Sequence, residues 1–166
     1  MQQSLSKKIT DRSAVIGIVG LGYVGLPLAY GFSKAAFSVL GFDVDQQKID
    51  HLALGEAYLD HLAESMFEHL HQDVTFSATV DMGRLGECDV ILVAVPTPLG
   101  VHQEPDLSYV EKTAALIGES LRPGQLLVLE STTFPGTTRE SFRDGILDNA
   151  EGEFIVGESV FIAYSP

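Results

Sequence analysis

Gly20, Gly22 and Gly25 fall in the spacing G-x-G-x-x-G within the stretch IGIVGLGYVGLPLAYGF, and Asp43 follows 18 residues after Gly25. The apolar, β-branched run before the first glycine reads as a buried strand, and the run after the third reads as a helix. In that context each glycine has a task. Gly20 permits a tight turn, Gly22 leaves bare backbone against which an anion can lie, and Gly25 lets helix and strand approach closely. The unpaired N–H groups and partial positive charge of the helix N-terminus then favour a diphosphate. Asp43, at the end of the next strand, is placed to accept hydrogen bonds from the hydroxyls of an adenosine ribose. It would repel a 2′-phosphate, and GFDVDQQ carries no adjacent Arg to offset that, so the expected cofactor is NAD rather than NADP. Lys48 reaches the same ribose or a phosphate, or else is a solvated helix lysine.

These residues need a scaffold, and the apolar pattern supplies one. Strands are predicted at 15–19, 38–42, 74–76, 89–95, 125–130 and 160–164, and helices at 24–36, 46–54, 62–71, 107–121 and 137–149, with a brief helical turn at 82–85. Strand alternating with helix implies an α/β fold: a doubly wound, six-stranded parallel sheet of Rossmann type in the order 3-2-1-4-5-6. Ligands of such sheets lie outside the carboxyl ends of the strands. Gly20, Asp43, Thr97 and Thr132 all fall at such ends. For the threonines, ordinary strand-end turn chemistry is the alternative.

Composition narrows the partners. Lys and Arg total 10 against 23 Asp and Glu, a net charge of −13, which argues against nucleic acid, whose phosphates need clustered Lys and Arg, and against anionic membranes. The 45% hydrophobic content supports a buried core, but the apolar run 90–95 ends at Pro96, far short of a membrane span. Residues 1–13 (MQQSLSKKITDRS) lack the apolar segment of a signal peptide and read as a frayed leader, leaving 14–166 as the dinucleotide-binding domain. A single cysteine, Cys88, fits a reducing compartment, and the expected location is cytoplasmic. Its place at the start of the fourth strand, opposite the edge that carries Thr97, argues for a small buried residue rather than a nucleophile. His51, His61, His69 and His71 match no metal-ligand spacing, and no metal is expected. His102 and Glu104 lie in the loop after the fourth strand, as substrate neighbours or as loop polarity. Glu130 either orders the turn beside Ser131 or reaches solvent.

At GLGYVGLP, VAVPTPLG, EPDLSYV and LESTTFPGTT the chain resembles the UDP-glucose/GDP-mannose dehydrogenase family. VPTP, EPDLSYV and EST are most similar to the branch acting on UDP-N-acetylhexosamines, with UDP-N-acetylglucosamine 6-dehydrogenase the nearest activity. UDP-glucose dehydrogenase, UDP-N-acetylmannosamine dehydrogenase and a non-enzymatic NAD-sensing module are the alternatives. The resemblance implies an N-terminal NAD-binding domain, a central helical dimerisation region and a C-terminal UDP-sugar domain, serving surface polysaccharide precursor synthesis. It implies two NAD-dependent oxidations of the sugar C6 alcohol to a carboxylate, with the aldehyde captured by a cysteine. Carried over by motif, Gly20, Gly22 and Gly25, with Tyr23 and Val24, form the dinucleotide loop. Asp43 is the ribose ligand and Lys48 the basic residue after it. Pro96 and Thr97 lie beside the cofactor, as does Ser131. Thr132 lies near the nicotinamide and positions the water, with Thr133 a neighbouring candidate. The family's nucleophilic Cys, activating Lys and acid/base Glu lie beyond Pro166. The expectation is therefore a truncated domain that binds NAD without oxidising a UDP-sugar, and a homodimer only for the full-length protein. The segment GEAYLD at 55–60 also resembles the family, with no chemical role assigned to it.

Overall fold

The structure, a computed structural model, describes residues 4–98, 105–131 and 136–165. Six parallel strands form its one named sheet: β1 (Val15–Val19), β2 (Ser38–Phe42), β3 (Phe76–Thr79), β4 (Val90–Val93), β5 (Leu126–Leu129) and β6 (Phe161–Tyr164). Their order is β3-β2-β1-β4-β5-β6, the doubly wound arrangement predicted from the alternation of elements. The chain reverses its direction of winding between β1 and β4, and a crevice opens at that point on the carboxyl edge.

Helices α1 (Leu5–Thr10), α2 (Gly25–Lys34), α3 (Gln46–Leu54), α4 (Glu64–Gln72), α5 (Ser108–Glu119) and α6 (Asp144–Asp148) accompany the strands. A 3-10 helix spans Met82–Glu87, and Thr138–Arg143 is π-helical. Because successive strand residues face opposite sides, the sheet carries two cores. Ile16, Ile18, Val39, Val90 and Leu92 pack beneath α2, α3 and α4 with Leu26, Leu52, Phe67 and Leu70. Val19, Phe42, Ile91, Val93, Leu127 and Leu129 meet α5 and α6 through Val110, Ala114, Ile117 and Ile146. The central strands are apolar on both faces, as a sheet covered on both sides requires.

Three stretches differ from the sequence reading, one being the helix expected at 137–149, whose first part is π-helical over Thr138–Arg143. Leu5–Thr10, expected to fray within 1–13, is helical, and its Lys8 Nζ lies 2.7 Å from Asp89 Oδ1. Polar composition hid this helix because Leu5 and one ion pair hold it to the body. The third strand lies at Phe76–Thr79 rather than 74–76, and Val74 is 99% exposed. The Asp73 carboxylate accepts from the N–H of Thr75, turning the chain there and delaying the strand.

Candidate functional site

The loop joining β1 to α2 is shaped by its glycines. Gly20 has φ +92°, and a Cβ there would sit 2.6 Å from the Ala94 carbonyl oxygen of the neighbouring strand end. A Cβ on Gly25 would lie 1.7 Å from the Gly20 carbonyl oxygen, so helix and strand meet as closely as backbone allows. Gly22 is different: a Cβ there meets nothing within 4 Å. Its bareness serves no contact within the fold and leaves space for a ligand. Helix α2 has no side-chain N-cap, and no carboxylate stands in its first turn. In its first turn Pro27 has no N–H, and the Leu26 and Leu28 N–H groups donate to the Gly22 and Val24 carbonyls, so it is the positive dipole end, more than a row of free donors, that faces the crevice.

Asp43, 4% exposed, ties this loop to the end of β2. Its Oδ2 accepts from the Leu21 N–H and from Lys48 Nζ, each at 2.9 Å, and its Oδ1 accepts from the Asp45 N–H at 3.0 Å. Lys48 is thus the ion-pair partner of Asp43 rather than a free helix lysine. Asp45 in turn caps α3, accepting from Gln47 N–H at 2.9 Å. Tyr58, which follows α3, donates its hydroxyl to the Leu21 carbonyl at 2.7 Å. Burial, then the nearby Asp43 and Asp45 carboxylates, push that hydroxyl well above its ordinary pKa.

Across the crevice, the ends of β4 and β5 are joined. Ser131 Oγ donates to the Val95 carbonyl at 2.7 Å, and Glu130 N–H donates to the Val93 carbonyl at 2.8 Å. The resulting cleft has a volume of about 780 Å³ and is lined by Gly20, Gly22, Tyr23, Val24, Asp43, Lys48, Pro96, Thr97 and Ser131. The structure thus brings together the residues proposed from sequence, with Gly25 behind the loop as its packing partner. Thr132 and Thr133 lie outside the described residues, as do His102 and Glu104. The sequence reading missed the rest of the wall. Val44, Met82 and Leu116 add apolar surface, suited to a flat base, while Lys112 and Thr113 come from α5. Helical periodicity marks Leu116 as core-facing, and Val44, in the loop after β2, carries no such signal.

A second cavity of about 610 Å³ opens at the amino edge of the sheet, beside Lys8, Asp89 and Arg122. Its charges are already spent on each other: Asp89 Oδ1 accepts from Lys8 Nζ at 2.7 Å and Arg122 at 2.8 Å, and Oδ2 from the Val15 N–H at 3.1 Å. Cys88, beside it, is fully buried, and burial and then Glu87 push its thiol up to about 12. Such a thiol is no nucleophile at neutral pH. His51 pairs with Glu56 at 3.1 Å and His69 with Ser33 at 2.8 Å. Among the described residues no group of three or more His, Cys, Asp or Glu is placed to hold a metal, and no helix is long and apolar enough to cross a membrane.

Residues 14–166 match the model of the NAD binding domain of the UDP-glucose/GDP-mannose dehydrogenase family. A UDP-N-acetyl-D-glucosamine 6-dehydrogenase of Pseudomonas aeruginosa is 38% identical over 151 residues, 91% of this chain and 34% of that protein. A UDP-N-acetyl-D-mannosamine dehydrogenase of Escherichia coli K12 is 36% identical over 129 residues, 76% of this chain and 30% of the relative. The crystal structure of a ternary complex of GDP-mannose dehydrogenase from Pseudomonas aeruginosa superposes with a TM-score of 0.82 at 29% identity, covering 89% of this chain and 34% of that one. The chain thus spans about a third of the length of the relatives it matches.

Proposed function

Because the chain belongs to the UDP-glucose/GDP-mannose dehydrogenase family, as its NAD-binding domain, we propose that it serves a nucleotide-sugar 6-dehydrogenase. The reaction is oxidation of the C6 alcohol of a UDP-N-acetylhexosamine to the uronate, with UDP-N-acetylglucosamine the preferred substrate. UDP-N-acetylmannosamine is the runner-up, supported by the similarity to the Escherichia coli enzyme. The observation that carries the reading is the bare Gly22 backbone in a cleft that also holds the buried Asp43.

NAD supplies the hydride acceptor. The protein's own part is to hold it. The Gly22 and Tyr23 N–H groups and the α2 N-terminus would hold the diphosphate, and Asp43 the adenosine ribose. Val44, Met82 and Leu116 would offer apolar surface to a base, and Pro96, Thr97 and Ser131 would hold the nicotinamide end. Thr132 is assigned the water-positioning role. The one cysteine is buried at the amino end of β4, so these 166 residues present no thiol for the aldehyde. By themselves they bind NAD and leave the sugar unoxidised. The full-length enzyme acts as a homodimer in the cytoplasm, where the NAD pool and a reducing milieu suit it.

Calorimetric titration of this chain with NAD⁺ and NADP⁺ tests the cofactor reading: saturable binding of NAD⁺ with NADP⁺ much weaker supports it, and no heat with NAD⁺ rejects it. NADH formation by the full-length enzyme with UDP-N-acetylglucosamine, UDP-N-acetylmannosamine and UDP-glucose tests the substrate. The highest kcat/KM is expected for the first, and activity confined to UDP-glucose rejects the hexosamine assignment.

A further inference from the structure

Between α3 and α4 the chain runs through GEAYLD, a segment to which sequence gives no chemistry. The structure gives its Tyr58 a definite contact. The hydroxyl donates to the Leu21 carbonyl at 2.7 Å, while the N–H of the same residue is held by Asp43 at 2.9 Å. The Leu21 side chain is fully buried. The residue between the first two glycines is therefore fixed at its amide, its side chain and its carbonyl. The Tyr58 ring is itself set edge-on against Phe67, with centroids 5.2 Å apart, and Phe67 is fully buried on α4.

The carbonyl contact has a geometric consequence. Across a trans peptide, the C=O of one residue and the N–H of the next point in opposite directions, and the described peptides contain no cis bond. With the Leu21 carbonyl turned to Tyr58, the Gly22 N–H is turned away from it. Among the described residues nothing accepts a hydrogen bond from that N–H, and Gly22 lines the cleft. Tyr58 is not part of the cleft lining, and its hydrogen bond to the loop is through this peptide.

We propose that Tyr58 is a positioning residue for the cofactor: its hydroxyl fixes the plane of the Leu21–Gly22 peptide and so presents the Gly22 N–H to the diphosphate. The inference rests on the NAD reading above. A phenol suits the task because it donates without carrying charge beside Asp43 and Asp45, and because a rigid ring clamped by Phe67 holds its donor at low entropic cost. The raised pKa keeps the proton on the oxygen.

Tyr58→Phe retains the ring and its contact with Phe67 and removes only the donor. Calorimetry of this chain with NAD⁺ and with adenosine, which keeps the ribose but lacks the diphosphate, separates the effects. For Tyr58→Phe the NAD⁺ Kd is expected to rise about five- to tenfold, the worth of one hydrogen bond, with adenosine binding unchanged. In the ligand-free protein the Gly22 amide resonance is expected to move. Phe67→Leu loosens the ring but keeps the hydroxyl, so it should lower the Tm and reduce the ratio of NAD⁺ to adenosine affinity clearly less than Tyr58→Phe does. Equal NAD⁺ affinity in Tyr58→Phe and wild type overturns the proposal. So does equal weakening of both ligands, or a ratio in Phe67→Leu that falls as in Tyr58→Phe. Absence of NAD⁺ binding by the wild type strikes the cofactor reading itself, and the inference falls with it.

Discussion

Gly25 faces the Gly20 carbonyl so closely that a Cβ added to it would stand 1.7 Å from the oxygen. No side-chain rearrangement relieves a clash between backbone and Cβ. Gly25→Ala is therefore expected to lower unfolding stability by about 4 kcal/mol or more. Gly22→Ala meets nothing within 4 Å in the fold and should leave stability within about 1 kcal/mol of wild type, yet weaken NAD⁺ binding at least about tenfold. Urea denaturation and NAD⁺ titration of the two variants check this division. A Gly22→Ala variant that binds as wild type would show that the diphosphate lies elsewhere.

Each oxygen of Asp43 already faces a donor, Leu21 N–H and Lys48 on one and Asp45 N–H on the other. Asn at this position must therefore turn its NH₂ toward a donor, whichever way it sits. Asp43→Asn is expected to cost about 1–3 kcal/mol in stability. It also removes the carboxylate that repels a 2′-phosphate and frees Lys48, so the preference for NAD⁺ over NADP⁺ should shrink by about tenfold or more. Paired titrations with the two cofactors measure the ratio, and an unchanged ratio would remove Asp43 from the specificity argument.

Acid stability is expected to depend on Asp89. Burial pushes its carboxyl up, but the donors from Lys8, Arg122 and the Val15 N–H outweigh burial and hold it below its ordinary value. A carboxyl whose pKa is lower when folded than when unfolded contributes its stability above the ordinary carboxylate range, and loses it as pH falls through the folded value. The loss should begin near pH ~4. Lys8 and Arg122 side chains are 25% and 30% exposed, so Asp89→Asn is expected to cost a screened amount at pH 7, about 2 kcal/mol. Its stability should then fall less steeply on acidification. Denaturation midpoints across the acid range test it, and parallel wild-type and variant curves would contradict it.

Cys88 should be silent in the native protein. Its thiol is fully buried and pushed up to about 12, so a thiol reagent such as Ellman's should react only once denaturant unfolds the chain. A stoichiometric reaction within seconds under native conditions would refute the burial.

Much of the fold and site was legible because the signals were local. The G-x-G-x-x-G spacing, the flanking apolar runs and Asp43 at a strand end each state their own purpose through backbone sterics or charge. Alternation implied a parallel sheet, and six strands fit the doubly wound order. What escaped depended on contacts between distant residues. Lys8 lies 81 positions from Asp89, so nothing nearby marks the contact that anchors the first helix, whose start Ser4 caps. The onset of β3 was misplaced because Val74 looks like strand, whereas the Asp73 turn and pairing with β2 decide the register. Helix 137–149 was expected as one α-helix, and its first part is π-helical; no residue type announces the wider turn. Tyr58 has no role legible in sequence, because a tyrosine in a polar loop carries no sign of the peptide it touches 37 residues earlier.

Strand β4 joins the two ends of this molecule. At its amino end Asp89 gathers a lysine and an arginine, and at its carboxyl end Val95, Pro96 and Thr97 border the crevice. The acid-sensitive ion pairs and the candidate cofactor crevice thus occupy opposite rims of one platform, with a layer of aliphatic side chains between them. An engineer could rework the lower rim without touching the upper one, whereas Gly25 and Asp43 make the upper rim answer for stability as well.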